Sequence, residues 1–174
     1  TGVYNVFNKV LNPTDRTYNK YYPRGKDFFN IGVNYQFFWK RFTFLGETAL
    51  DKQGRIATMN MLRYSPKGSF QLVVMNRFYD VAYQSMYANS IGEGSSVQNE
   101  SGFYIGLETN ILRYFKLNAY GDFFYFPWKK YQVSKNGTHG FDGVFQLSFS
   151  PRYELDMFIR YRYKNKYKDF TPEE

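Results

Sequence analysis

The stretch Phe141–Lys164, FDGVFQLSFSPRYELDMFIRYRYK, decides how the rest of the chain is read. Counted in steps of two, Phe141, Phe145, Leu147 and Phe149 share one face, and Asp142, Gln146, Ser148 and Ser150 share the other. After Ser150-Pro151-Arg152 the design repeats, with Leu155, Met157, Ile159, Tyr161 and Tyr163 opposed by Asp156, Arg160, Arg162 and Lys164. Alternation every second residue is the mark of a β-strand whose faces meet different surroundings. Two architectures produce it. A soluble sandwich or lipocalin-like barrel hides the apolar face in a core, whereas a membrane barrel turns it to lipid and keeps charges in the lumen.

Outward from this hairpin, six further segments of about ten residues carry strand character, making about eight with its two halves over residues 28–165. Phe29–Phe38 sets Phe29, Ile31, Val33, Tyr35 and Phe37 against Asn30, Gly32, Asn34 and Gln36. Phe42–Asp51 sets Phe42, Phe44, Thr48 and Leu50 against Glu47 and Asp51. Arg55–Ser65 places Ala57, Met59 and Met61 against Thr58, Asn60 and Tyr64. Ser69–Tyr79 has no readable phase, because Leu72 to Met75 are all apolar. Gly102–Asn110 opposes Phe103, Ile105 and Leu107 to Tyr104 and Glu108, and Phe115–Phe126 opposes Leu117, Ala119, Phe123 and Tyr125 to Lys116, Asn118, Tyr120 and Asp122. Residues 1–27 read as an irregular segment with at most the end of a strand at Val3–Phe7, and residues 166–174 as a tail. In the loop 80–101 the spacing of Ala82, Tyr83, Met86 and Tyr87 predicts a short helix.

The connections alternate in length. Short ones follow the first, third, fifth and seventh segments, and the long polar loops 80–101 and 127–140 lie at the opposite end. Tight turns at one end and long loops at the other are the construction of an outer-membrane barrel. Ten residues at about 3.3 Å, tilted by about 40°, also cover roughly the 25 Å of its apolar band. Aromatic residues make up 22 % of the chain and gather at segment ends, where Trp39, Trp128, Tyr79 and Tyr114 are the candidate interface anchors. The expected fold is therefore an all-β, antiparallel up-and-down transmembrane barrel. If the short turns are periplasmic, the first full segment runs downward and the last upward, which predicts missing strands at both ends and a larger barrel than these segments alone make.

Composition narrows the chemistry. Among 174 residues there is no cysteine, which excludes disulfides and thiolate sites, and the mean hydropathy of −0.58 leaves no run suited to a membrane helix. The net charge of +8 is dispersed along the chain, so it does not mark a nucleic-acid tract. The only histidine, His139, lies in the loop stretch Asn136–Gly140 without the partners a hydrolase or a metal centre needs, and Asp80, Glu93 and Glu100 lack calcium-loop spacing. Gly92–Ser96 opens no helix and is no phosphate cradle. No catalytic residue, metal or cofactor is expected.

The functional candidates are then the inward charges Glu47, Glu108, Lys116, Asp122, Asp142, Asp156, Arg160 and Arg162, as an ion pathway or as ion pairs filling a closed interior. The residues assigned to lipid are Ile31, Val33, Phe44, Met59, Ile105, Leu117, Phe145, Leu147, Met157 and Ile159. Arg41, Arg63, Lys67, Arg113 and Arg152 near the short turns suit headgroups or a periplasmic partner, and the loops 80–101 and 127–140 suit protein partners.

Four segments carry a resemblance: YNKYYPRGKDFFNIG from Tyr18, GETALDKQGRIATMN from Gly46, YANSIGEGSSVQNESGFYIG from Tyr87 and FFYFPWKKYQVS from Phe123. They resemble the C-terminal barrel region of helix-hairpin-helix, DNA-uptake-related outer-membrane proteins of Bacteroidota, over most of Tyr18–Lys164. The resemblance implies an outer-membrane barrel that serves in transport or uptake, with nucleic acid as a conceivable cargo. In that family the helix-hairpin-helix part lies N-terminal to the barrel, and no such paired helices are visible in this sequence.

Overall fold

The computed structural model describes residues 1–66 and 69–169, so Lys67 and residues 170–174 of the expected tail lie outside the described part. The chain folds into one antiparallel sheet in which each strand pairs with its sequence neighbours: β1 (Gly2–Leu11), β2 (Gly25–Trp39), β3 (Phe42–Asp51), β4 (Ile56–Tyr64), β5 (Phe70–Tyr79), β6 (Glu100–Leu112), β7 (Phe115–Phe126), β8 (Thr138–Arg152) and β9 (Leu155–Asn165). Among the described residues β1 pairs only with β2 and β9 only with β8, so the sheet is open.

β1, expected as at most a strand end at Val3–Phe7 in an irregular segment, runs from Gly2 to Leu11. Its Asn5, Asn8 and Lys9 blur the alternation, yet Gly2 to Val6 pair residue by residue with Ile31 to Asp27. β1 thus adds a ninth strand ahead of β2, beyond the eight segments expected. The predicted helix in residues 80–101 does not form, and the segment is a chain of turns and bends; the helical turn that does form is the 3-10 turn Thr17–Asn19.

Pairing register fixes the faces. Starting from Ile31, the cross-strand partners run Leu50, Ile56 on one row, and Phe44, Leu62, Val74, Ile105, Gly121 and Gly143 on a neighbouring one. This outer face carries the large apolar side chains and leaves them exposed: Ile31 is 48 % exposed, Val33 63 %, Phe145 50 % and Ile159 77 %. Toward the short-turn end it carries a row of stacked rings, Trp39 on Phe42 at 6.0 Å, Phe42 on Tyr64 at 4.7 Å and Phe115 beside Phe149 at 4.6 Å. Toward the loop end a second row joins Phe123 to Phe141 at 4.8 Å and Phe141 to Tyr163 at 6.3 Å.

The phase of β4 is the reverse of the sequence reading. Thr58, Asn60 and Tyr64 lie on the outer face with Thr48, Val74 and Leu72 as neighbours, and Ala57, Met59 and Met61 lie on the inner one. Both faces of this strand are middling in polarity, so alternation alone does not orient it; the turn from Asp51 to Arg55 does, by pairing Thr48 with Thr58. The outward polar groups satisfy one another. The Tyr35 hydroxyl donates to Asn60 Oδ1 at 2.5 Å, and the Thr48 and Thr58 hydroxyls lie 2.8 Å apart. β5 also acquires a phase, with Leu72 and Val74 outward and Val73, Met75 and Arg77 inward.

Only Lys40-Arg41, Arg113-Tyr114 and Tyr153-Glu154 separate β2 from β3, β6 from β7 and β8 from β9, and these tight turns share one end with the β4–β5 connection. The long connections 12–24, 80–99 and 127–137 share the other, and they fold across the inner face. Five ladders at about 4.8 Å would hold β2 some 24 Å from β7 in a flat sheet. Nevertheless the Trp128 indole donates to the Thr17 carbonyl at 2.9 Å, and the Tyr18 and Tyr131 rings sit 5.4 Å apart. The sheet curls toward its inner face, and the loops close over one end of the trough.

Candidate functional site

The best-built polar site lies on the inner face beneath the loop 80–99. Arg77 projects inward from β5 because Met75, Arg77 and Tyr79 alternate with Asn76 and Phe78. Its Nε donates to Glu100 Oε1 at 2.7 Å, and its Nη1 and Nη2 reach the two Asp122 oxygens at 2.7 and 3.1 Å. Arg77 and Glu100 are both 0 % exposed. Room for the guanidinium comes from Gly102 on β6, where a Cβ would stand 2.2 Å from Arg77 Cζ. Glu100 completes its hydrogen bonding by accepting the Glu93 and Gly94 backbone amides at 2.9 and 2.8 Å. A charge out of water survives only when every lone pair has a partner. Here the partners come from β5, β6, β7 and the loop at once.

A second network continues across β8 and β9. Arg162 Nε donates to Asp142 Oδ1 at 3.0 Å, while Lys164 lies 3.4 Å from Asp142 Oδ2 and 2.6 Å from Glu93 Oε2. Lys166 reaches the same Glu93 carboxylate at 3.4 Å. Partial burial pushes the Glu93 carboxyl upward in pKa, but the hydrogen bond and charge of Lys164, helped by Lys166, outweigh it and hold the group below the ordinary carboxylate range. At the far side of the loop, Asp51 Oδ2 accepts the Gln84 amide at 3.1 Å, and Asn30 donates to the Gln84 carbonyl at 2.8 Å. Beneath it Tyr83 is buried against Ala57 and Tyr79, whose hydroxyl donates to the Ile91 carbonyl at 2.8 Å. The loop is thus pinned to the wall from β2 to β9.

The residues singled out in the sequence distribute as follows. Asp122 and Asp142 belong to these networks, and Arg162 joins through Asp142. Glu108 and Lys116 pair with each other at 2.8 Å nearer the short turns, both half exposed. Arg160 Nε donates to Gln146 Oε1 at 2.7 Å, and Asp156 accepts from the Ser150 hydroxyl at 2.7 Å. Glu47 stands exposed on the inner face opposite Met59, with no ion pair among the described residues. Of the residues assigned to the apolar face, Ile31, Val33, Phe44, Ile105, Leu117, Phe145, Leu147, Met157 and Ile159 share the outer face. Met59 does not: it sits between Glu47 and Arg77 on the inner face, near the Ser90 hydroxyl at 3.6 Å.

The anchors divide as well. Trp39, 58 % exposed, stands on the outer face at the short-turn end, and Tyr114, 41 % exposed, in a turn there under Arg113. Tyr79 is buried under the loop with its hydroxyl satisfied by Ser90 and Ile91 and is no interface residue. Trp128 packs edge-on against Tyr21 at 5.2 Å within the loop cluster.

Sequence reasoning missed Arg77 and Glu100. The apolar run Leu72–Met75 hides the phase that turns Arg77 inward, and Glu100 falls in the polar stretch 80–101 although it opens β6. The available signal was Gly102, a glycine inside a strand, which marks a close approach of another group. Among the described residues no group of histidine and carboxylate side chains is disposed to hold a metal ion, and no helix is long and apolar enough to cross a membrane. No protein-family model, no curated protein and no solved structure matches this chain.

Proposed function

We propose that this sheet is the wall of a transmembrane antiparallel β-barrel in a bacterial outer membrane, without enzymatic activity, and that the loop 80–99 plugs its lumen at the outer end. One observation carries the reading: the chain buries charges and exposes hydrocarbon. Arg77 and Glu100 are 0 % exposed while Val33, Phe145 and Ile159 are more than half or half exposed on a continuous face. A soluble lipocalin-like or sandwich protein requires the opposite distribution, because an apolar face of this extent is unstable against water. In a bilayer the same face is the solvated one, and the two aromatic rows suit its two interfaces. Lipid tolerates no unpaired ladder, so in the membrane β1 and β9 must both be paired.

The pinned loop favours a structural or interaction subunit with a closed lumen, whose outer loops meet a partner protein. Transport or uptake, of DNA or another solute, is the second reading, favoured by the charges Glu108, Lys116 and Arg160 that line the inner face away from the plug. The deciding experiment has two parts. Heat-modifiable electrophoretic mobility after refolding in detergent is expected for a barrel, and its absence together with solubility in plain buffer overturns the membrane reading. In planar bilayers the folded protein is expected to show no steady conductance; a constitutive channel would favour transport over the closed subunit.

A further inference from the structure

The three long loops meet around a second feature, which none of the wall networks uses. It is a cavity of about 140 Å3 walled by rings from the loop 12–24 and the loop 127–137, and closed by Ser95, Ser96 and Gln98 from the loop 80–99. The rings stand on edge to one another: Tyr18 to Tyr131 at 5.4 Å and 71°, Tyr21 to Trp128 at 5.2 Å and 77°. Lys129 and Lys130 line the same space, and no carboxylate does. Among the described residues neither lysine makes an ion pair. The Lys130 ammonium lies 3.6 Å over the Phe126 ring, partly buried. Burial depresses its pKa despite the fields of Glu100 and Glu93, and those carboxylates are already committed to Arg77 and to Lys164. The protein thus holds a cation partly out of water with no counter-charge of its own beside it.

We propose that this cavity binds a single anionic pyranose, a sugar ring bearing a phosphate or carboxylate, either free or as the exposed end of a glycolipid. A pyranose lays its C–H face on an aromatic ring and meets phenol, serine and amide groups with its hydroxyls, while the lysines take the anion. The cavity falls below the roughly 300–1,000 Å3 of sites for drug-sized ligands, which suits one ring. A nucleotide fits less well, since its base and ribose are two rings and the cavity suits one. The inference does not rest on the membrane reading, because every wall except Phe126 belongs to a loop.

The chain has two tryptophans, and Trp39 is at the far end of the sheet, so Trp39→Phe leaves Trp128 as the sole indole reporter. The full chain, folded in detergent micelles, is titrated with glucose 1-phosphate, glucuronate, glucose, inorganic phosphate and thymidine monophosphate while Trp128 fluorescence is followed. Saturable responses to the two acidic sugars at concentrations at least tenfold below those needed for glucose or phosphate are expected. Lys130→Met is expected to weaken the acidic sugars at least tenfold and to leave glucose unchanged. Should that variant lose the parent's circular-dichroism spectrum, Lys129→Met and the salt dependence of the parent protein give the same comparison. An equal response to phosphate alone, meaning an adventitious ion only, overturns the proposal. So does tighter binding of thymidine monophosphate, or no saturable response to either acidic sugar. Competition by lipid A in mixed micelles assigns the glycolipid end, and its failure beside sugar binding assigns the free sugar.

Discussion

The Arg77 guanidinium and the Glu100 carboxylate meet at 2.7 Å with neither residue touching solvent. Arg77 belongs to the sheet, whereas Glu100 also holds the Glu93 and Gly94 amides of the loop 80–99. One ion pair therefore joins the two parts that the proposed function needs joined. Removing a single partner of a buried pair leaves the other charged and unsolvated, which typically costs about 3–5 kcal/mol. Arg77→Met should lower stability by that order in urea titrations of the folded protein. It should also expose the loop 80–99 to protease, and the triple variant Arg77→Met, Glu100→Gln, Asp122→Asn should recover part of the loss.

The loop 80–99 should loosen in acid. Glu93 has its folded pKa depressed, with burial opposed and outweighed by Lys164 and Lys166. A depressed carboxylate contributes stability that is present above its unfolded pKa and is lost as pH falls through the folded one. Hydrogen exchange of the loop amides is expected to accelerate relative to the strands as pH falls below the ordinary carboxylate range. Glu93→Gln should remove that pH dependence and show the looser loop already at neutral pH.

Neighbouring residues on β9 give the sharpest test of the faces. Ile159 points outward at 77 % exposure, and Arg160 points inward to Gln146. Arginine at the midplane of a lipid-facing strand costs about 2–4 kcal/mol. Ile159→Arg should show that loss in lipid vesicles, while Arg160→Ile is tolerated. Equal tolerance at both positions would remove the lipid assignment of the outer face.

The outward polar cluster makes a smaller, local prediction. Tyr35 covers Gly46, where a Cβ would stand 2.0 Å from its ring, and donates to Asn60. Tyr35→Phe removes one donor from a group of amides and hydroxyls facing outward, at a cost of about 0.5–1.5 kcal/mol. Asn60→Val in the Tyr35→Phe background should cost less than Asn60→Val alone, as a double-mutant cycle would register.

How far the sequence spoke depended on how unequal the two faces of each strand are. β8 and β9 alternate most clearly, with Phe145, Leu147 and Ile159 outside and Gln146, Arg160 and Arg162 inside, and Val144 and Phe158 the apolar exceptions on the inner face. β4 deceived because the loop covers its inner side: Ala57, Met59 and Met61 face Tyr79, Tyr83 or Ile91 rather than water. The helical spacing of Ala82 and Tyr83 had the same origin, being the imprint of a segment that buries two side chains against β3–β5 without a helix. Asp122 and Asp142 were visible as inward charges, but their partners were not. Pairing across Arg77, Glu100 and Asp122 is set by register between strands distant in sequence, and no local pattern encodes it.

The two aromatic rows also act as a ruler. From Phe115 to Phe123 along β7 is about eight steps of 3.3 Å, and a tilt near 40° leaves about 20 Å between the rows. A bilayer with a 30 Å hydrocarbon core would have to thin to meet them, at fractions of a kcal/mol per ångström. On the proposed membrane reading, this spacing fits a thin bilayer. On that reading the spacing of the rings would itself favour a thinner bilayer over a thicker one.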